Sequence, residues 1–261
     1  MQSVSSESWP VRTRRAQISV TDWRPDNAVP GGPDLVLLHE GLGCTAMWKR
    51  FPEALAVATG CRVLSYDRQG YGQSDPFDSP RDFDYLNLYA EEELPDVLEA
   101  VGLSAPVLIG HSDGGTIALL FANRFPTRAL VTMAAHIFVE DVTLAGLRHA
   151  ARIWAETDWA ERLARYHGAK TDVVFHAWVD TWLSPGFTDW NIEASLSGVT
   201  APALIIQGED DEYGSVEQVN GICRQVSGPA TPLIMRDCGH SPHIQACDRT
   251  VEAIAGFLRD L

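Results

Sequence analysis

The sequence predicts an α/β fold, a doubly wound and mostly parallel sheet with an inserted helical cap. Three observations carry that prediction. Short, almost wholly apolar runs recur along 261 residues, as expected of strands buried on both faces. Segments of helical spacing separate most of these runs, which is the alternation of a parallel α/β sheet. The rhythm stops between residues 138 and 198, where no buried-strand run occurs and five of the eight tryptophans gather.

Residues 15–23 read as the first strand, Asp34–His39 as the second and Cys61–Tyr66 as the third. Pro106–Ile109 and Ala129–Ala134 follow, then Ala203–Gln207 and Pro232–Met235 late in the chain. Helical spacing marks 48–59, 86–102, 114–125, 215–227 and 248–259. The expected organisation is a core from 1–137 and 199–261, with 138–198 as the cap. Leu144–Leu163 reads as helix within it. Trp154, Trp159, Trp178, Trp182 and Trp190 pack that cap onto the core, and Trp154 and Trp182 are expected also to line a pocket.

Composition narrows the function classes. Hydrophobic residues make up 45% and charged residues 21%, ordinary for a globular chain, while the formal charge is −15. No Lys/Arg-rich stretch offsets that charge, so nucleic acid and anionic membranes are not expected partners. No apolar run reaches the roughly 18–20 residues of a membrane span. Met1–Pro10 has no apolar signal core, and five cysteines at scattered spacings suggest reduced thiols. A cytoplasmic location is the expectation.

Gly110-His111-Ser112-Asp113-Gly114 directly follows the strand Pro106–Ile109 and precedes a helix. A serine hydroxyl becomes a nucleophile when a sharp turn lifts it clear of the backbone and a base takes its proton. The helix start aims unpaired N–H groups at the same point. A base and an orienting carboxylate should hang from loops after later strands. Gly208-Glu209-Asp210-Asp211 and Gly239-His240-Ser241-Pro242-His243 occupy those loops. Asp210 competes with Asp211 for the acid, and His243 with His240 for the base.

Together with Leu37-Leu38-His39-Glu40-Gly41-Leu42-Gly43 and Tyr66-Asp67-Arg68-Gln69-Gly70-Tyr71-Gly72-Gln73-Ser74-Asp75, these motifs make the chain resemble α/β-hydrolase-fold enzymes over nearly its whole length. The resemblance implies a Ser112–Asp211–His240 triad in the order Ser, acid, His. It implies an oxyanion hole from the N–H of Asp113 and a second donor on the His39–Gly43 loop. Counting from the histidine selects Gly41; aligning by residue type selects Leu42. Both stand.

Glu40 replaces the glycine that more often follows such a histidine. It is read either as structural or as a binder of a cationic group. The Asp113 carboxylate is stabilised at a helix start, or recognises a substrate amine. His111 is read as structural, and His136, at the entry to the cap, as pocket-facing or plainly packed.

The implied activity is hydrolysis of a small or medium carboxylic ester, or a related lactone or amide, through an acyl-enzyme, with no metal or organic cofactor. Carbon–carbon bond hydrolysis of ring-cleavage diketones and cofactor-free lyase or perhydrolase chemistry use the same triad. A ligand receptor with a vestigial site is the non-enzymatic alternative. A small-molecule substrate is the expected partner, and monomer and homodimer are both open.

Overall fold

The computed structural model describes residues 3–261. One eight-stranded sheet runs through it: β1 (Val4–Arg12), β2 (Gln17–Pro25), β3 (Leu35–Leu38), β4 (Val63–Tyr66), β5 (Val107–His111), β6 (Ala129–Met133), β7 (Ala203–Gly208) and β8 (Ala230–Met235). The order across the sheet is β1-β2-β4-β3-β5-β6-β7-β8. From β4 to β8 every pairing is parallel; β1 and β2 are antiparallel additions.

The central strands are buried end to end because helices cover both faces. Leu35, Leu37, Val107, Ile109, Val131 and Met133 face one layer with α1 (Phe51–Thr59). Val36, Leu38, Leu108 and Leu130 face the opposite layer. That layer holds α2 (Tyr85–Leu88), α3 (Leu94–Ala100) and α4 (Asp113–Ala122). A π-helical turn, Tyr89–Glu93, joins α2 to α3. Period-two alternation along each strand therefore divides the core in two.

Between β6 and β7 lie the cap helices α5 (Asp141–Glu156), α6 (Trp159–His167) and α7 (Thr171–Leu183). The predicted helical run Leu144–Leu163 is broken at Thr157 and Asp158, where Thr157 is extended and its hydroxyl bonds back to Ile153 O at 2.7 Å. After β7 come α8 (Val216–Gln225), α9 (Pro242–Gln245) and α10 (Cys247–Arg259). Helix α8 joins the layer of α4, and α10 that of α1.

One strand was absent from the sequence reading. Val4–Arg12 is polar and mostly exposed, so it carries no burial signal. It pairs residue for residue with β2, from Val4 opposite Pro25 to Arg12 opposite Gln17. No helix among the described residues is long and apolar enough to cross a membrane.

The chain moves outward from β3 to β4 on one side, then crosses back to β5 and continues the other way. That reversal opens a crevice at the carboxyl ends of β3 and β5. The loops His39–Gly43 and His111–Gly115 both enter it.

Candidate active site

The turn after β5 holds one of the five non-glycine residues with positive φ among the described residues. Ser112 has φ 52° and ψ −119°, a conformation that costs a non-glycine residue on the order of 1–3 kcal/mol. It is held by its N–H donating to Met133 O at 2.9 Å, and by its carbonyl accepting from Gly115 N at 2.8 Å and Thr116 N at 3.1 Å. The flanking glycines are required by close approach. A Cβ on Gly110 would lie 2.1 Å from Gly114 O, and one on Gly114 would lie 1.9 Å from Leu38 O. The Ser112 hydroxyl does not cap α4, which leaves it free for chemistry.

The loops after β7 and β8 bring together an acid and an imidazole. His240 Nδ1 donates to Asp211 at 2.8 Å (Oδ1) and 3.0 Å (Oδ2). Asp211 is itself oriented: Gln207 Nε2 donates to its Oδ2 at 2.6 Å, and Tyr213 N to its Oδ1 at 2.8 Å. Burial pushes the Asp211 carboxyl up, but the His240 charge and hydrogen bond, with the Tyr213 N–H, hold it below the usual carboxylate range. Burial likewise pushes His240 down, and the Asp211 charge and hydrogen bond outweigh it. Its pKa sits above that of free imidazole. With Nδ1 committed to Asp211, Nε2 is the nitrogen left to exchange a proton.

The competing residues lie elsewhere. Asp210 is exposed, and its backbone N–H closes the turn onto Cys238 O. His243 is buried among Trp48, Phe51 and His111, with ring centroids 4.7, 5.8 and 4.6 Å away. Burial first, then the neighbouring His111, holds His243 well below free imidazole.

The His39–Gly43 loop is clamped from below. Arg68, fully buried, donates from Nη1 to His39 O and from Nη2 to Glu40 O, both at 2.7 Å. The rings of Tyr71 and Tyr89 flank its guanidinium at 4.9 and 5.1 Å. His39 donates from Nδ1 to Glu40 O at 2.8 Å and accepts the Arg68 N–H on Nε2. Asp67 accepts from Thr45 N and Gln73 N. Among the described residues, no backbone carbonyl accepts the N–H of Gly41, Leu42 or Asp113. All three are thus available as donors.

The cap closes over this loop. A Cβ on Gly41 would lie 2.5 Å from Trp178 Cδ1, so the indole of α7 rests directly on that glycine. His167, at the end of α6, donates from Nε2 to Leu42 O at 2.9 Å and accepts Gly72 N on Nδ1 at 3.0 Å. Trp182 donates from Nε1 to Tyr85 OH at 2.8 Å, and Tyr85 donates onward to Asp113 Oδ2 at 3.0 Å. The Asp113 carboxylate is therefore already engaged by a protein hydroxyl.

The remaining expected residues divide. His136 is buried beside Trp182 at 5.3 Å and His240 at 5.8 Å, and its Nε2 donates to Tyr213 O at 3.0 Å. The Glu40 carboxylate turns toward His111, 3.5 Å away, and covers Gly43. Trp154 is not brought to the site: it stacks on Phe175 inside the cap at 3.9 Å and 4°. Trp178 is the tryptophan that reaches the loop in its place. Cys44 and Cys238 are buried thiols; burial pushes Cys44 up to about 12.

The sequence does not single out Gln207, Tyr85, Tyr213 or His167, and it marks Trp178 only as one of five cap tryptophans. Gln207 carries a faint signal as a polar residue ending an otherwise apolar run. Tyr85, Tyr213 and His167 carry none, since their contacts span up to 125 residues of chain.

The alpha/beta hydrolase family model matches residues 35–253. Serine hydrolase BPHL of Homo sapiens is 28% identical over 204 residues, which cover 76% of this chain and 69% of that protein. A 2-hydroxy-6-oxononadienedioate/2-hydroxy-6-oxononatrienedioate hydrolase of Dechloromonas aromatica is 27% identical over 87% of both chains. Among solved structures, the 2-hydroxy-6-oxo-6-phenylhexa-2,4-dienoate hydrolase of a Rhodococcus strain superposes with a TM-score of 0.82. It covers 99% of this chain and 100% of that one at 14% identity, a likeness of fold.

Proposed function

The chain belongs to the alpha/beta hydrolase family, and we propose that it hydrolyses a small or medium carboxylic ester, or a related lactone, through an acyl-enzyme on Ser112. The observation that carries this reading is the Asp211–His240 pair, next to a strained serine whose hydroxyl is not spent on capping. Two contacts bring the base loop to the elbow. His111, the neighbour of Ser112, bonds from Nε2 to His240 O at 2.8 Å, and the two rings lie 5.1 Å apart.

In the proposed cycle, neutral His240 takes the Ser112 proton through Nε2 as the oxygen attacks the carbonyl. Asp211 holds the ring in the Nδ1–H tautomer and stabilises the imidazolium. The N–H of Asp113 and one donor of the Gly41–Leu42 pair receive the oxyanion. His240 then protonates the leaving group, and in the second half-reaction it activates water to release the acid. The apolar indoles of Trp178 and Trp182 favour an apolar acyl or aryl group beneath the cap.

Intact mass after a fluorophosphonate, with Ser112→Ala beside the wild type, tests the nucleophile. One stoichiometric adduct on wild type and none on the variant is expected; an adduct that survives the substitution overturns the assignment. Turnover of a p-nitrophenyl ester, an enol-lactone and a dienoate ring-cleavage product then ranks the bond types open to this triad. Ester or lactone turnover is expected to lead; a dominant dienoate rate replaces this reading with carbon–carbon hydrolysis.

A further inference from the structure

One cluster of buried charge lies beside the proposed machinery without belonging to it. Glu40 Oε2 stands 3.5 Å from His111 Nδ1, and no other hydrogen-bond partner is present for that nitrogen among the described residues. The opposite nitrogen, His111 Nε2, lies 2.8 Å from the carbonyl of His240. A carbonyl can only accept, so Nε2 carries a proton. Nδ1 faces a carboxylate, so the ring is fully matched to its surroundings when both nitrogens donate.

The His111 side chain is 2% exposed, and that of Glu40 is 22% exposed. Burial alone drives the Glu40 carboxyl up, and the hydrogen bond and charge of His111 lead the effects that reverse this, so Glu40 is held as the anion. Gly43 makes room for it, since a Cβ there would lie 2.2 Å from Glu40 Oε2.

The geometry points to Glu40 and His111 as positioning residues that lock the base loop to the oxyanion loop. The path is continuous. Arg68 grips the Glu40 carbonyl at 2.7 Å, Glu40 pairs with His111, and His111 holds the His240 carbonyl. Glu212 Oε2 accepts the His240 N–H at 3.2 Å, so the peptide of His240 is fixed on both sides while Asp211 fixes its ring. The distance between the oxyanion donors and the proton-transferring nitrogen is thereby set by one carboxylate–imidazole contact. A misplacement of about 1 Å in such an array costs on the order of a hundredfold in rate. This assignment explains why a glutamate follows His39, and why the residue before Ser112 is a histidine.

The inference rests on the serine-hydrolase reading, and the test separates the two. Fluorophosphonate labelling of wild-type Ser112 must succeed first; its failure rejects the hydrolase reading itself. On an ester substrate, Glu40→Gln is expected to lower kcat about tenfold with KM within about twofold, because the binding surface is untouched. His111→Asn retains a donor near the Nδ1 position but falls short of His240, and is expected to lose at least as much. His111→Gln restores a donor near the Nε2 position and should recover most of kcat. The double variant Glu40→Gln/His111→Asn should be no slower than His111→Asn alone.

Wild-type kcat in Glu40→Gln, a change confined to KM, or losses that multiply in the double variant would each overturn the assignment. Where Glu40→Gln does not fold, Glu40→Asp keeps the charge on a shorter arm. It should hold the melting temperature and lower kcat about threefold; unchanged kcat in it also overturns the inference.

Discussion

The elbow side of the site is built from backbone, and the cap side from side chains. Around Ser112 the fixed points are peptide groups and bare glycines: Met133 O, Gly115 N, and the two positions where a Cβ would meet a carbonyl at about 2 Å. Over the His39–Gly43 loop and the start of α4 the fixed points are Trp178 on Gly41, His167 on Leu42, and Trp182 through Tyr85 to Asp113. Backbone contacts at van der Waals limits have no room to adjust, whereas aromatic and imidazole contacts can separate and re-form. In the proposed cycle the nucleophile therefore sits on the rigid half, and the side-chain contacts of α6 and α7 form the adaptable one.

The largest effect should come from the acid that orients the base. Asp211→Asn removes the charge and favours the wrong His240 tautomer, so kcat should fall on the order of 10⁴-fold while KM changes little. Steady-state kinetics on a p-nitrophenyl ester checks this, and a loss under tenfold would return Asp210 to contention.

Next in size is the backbone half. Gly114→Ala drives a methyl into Leu38 O and should cost about 3 kcal/mol or more, a drop of roughly 6–12 °C in melting temperature. Thermal unfolding by circular dichroism measures it. A fall under 2 °C would show that the elbow is softer than the cap, reversing the comparison.

On the cap half, Trp182→Phe keeps the ring but deletes the donor to Tyr85. A net loss of about 1 kcal/mol is expected, with a few-fold change in KM. Trp154→Phe should leave kcat and KM unaltered, because Trp154 packs only within the cap. Altered kinetics in that variant would bring Trp154 back to the pocket.

Two pH dependences sharpen the same contrast. His240 has a folded pKa raised above free imidazole, chiefly because Asp211 outweighs burial, and only its neutral form accepts the Ser112 proton. Activity should therefore rise with pH, with a midpoint above about 6.5. A flat profile between pH 5 and 8 would exclude His240 as the base. His39, His136, His167 and His243 are lowered instead, with burial as the largest cause.

For those four the unfolded chain binds protons that the folded chain refuses. Their contribution to stability is complete above about pH 6.5 and is lost as pH falls below it. His167 links this to the cap. Protonation puts a hydrogen on the Nδ1 that accepts Gly72 N, breaking the contact between α6 and the loops beneath. Melting temperature measured from pH 7.5 to 5 should decline, and a rise would contradict the burial of these rings.

Much of the architecture was legible because it is written in local pattern. Seven strands stand where apolar runs predicted them; the five from β3 to β7 are buried at every position, and a strand covered on both faces must be apolar throughout. The elbow was legible for a similar reason: two glycines four residues apart, Gly110 and Gly114, mark places where backbone meets backbone. β1 was not legible. Its stability comes from ladder hydrogen bonds to β2, which any side chain can make.

By itself, then, the sequence determined the sheet, the elbow and the loops that present Asp211 and His240, because each depends on residues adjacent in the chain. Only the tertiary structure decided which tryptophan covers the His39–Gly43 loop, what clamps that loop from below, and what Glu40 touches. Arg68 reaches His39 across 29 residues, His167 reaches Leu42 across 125, and His111 reaches His240 across 129. Such contacts depend on how separate elements are stacked, and side-chain hydrogen bonds at that range leave no periodic trace in the chain.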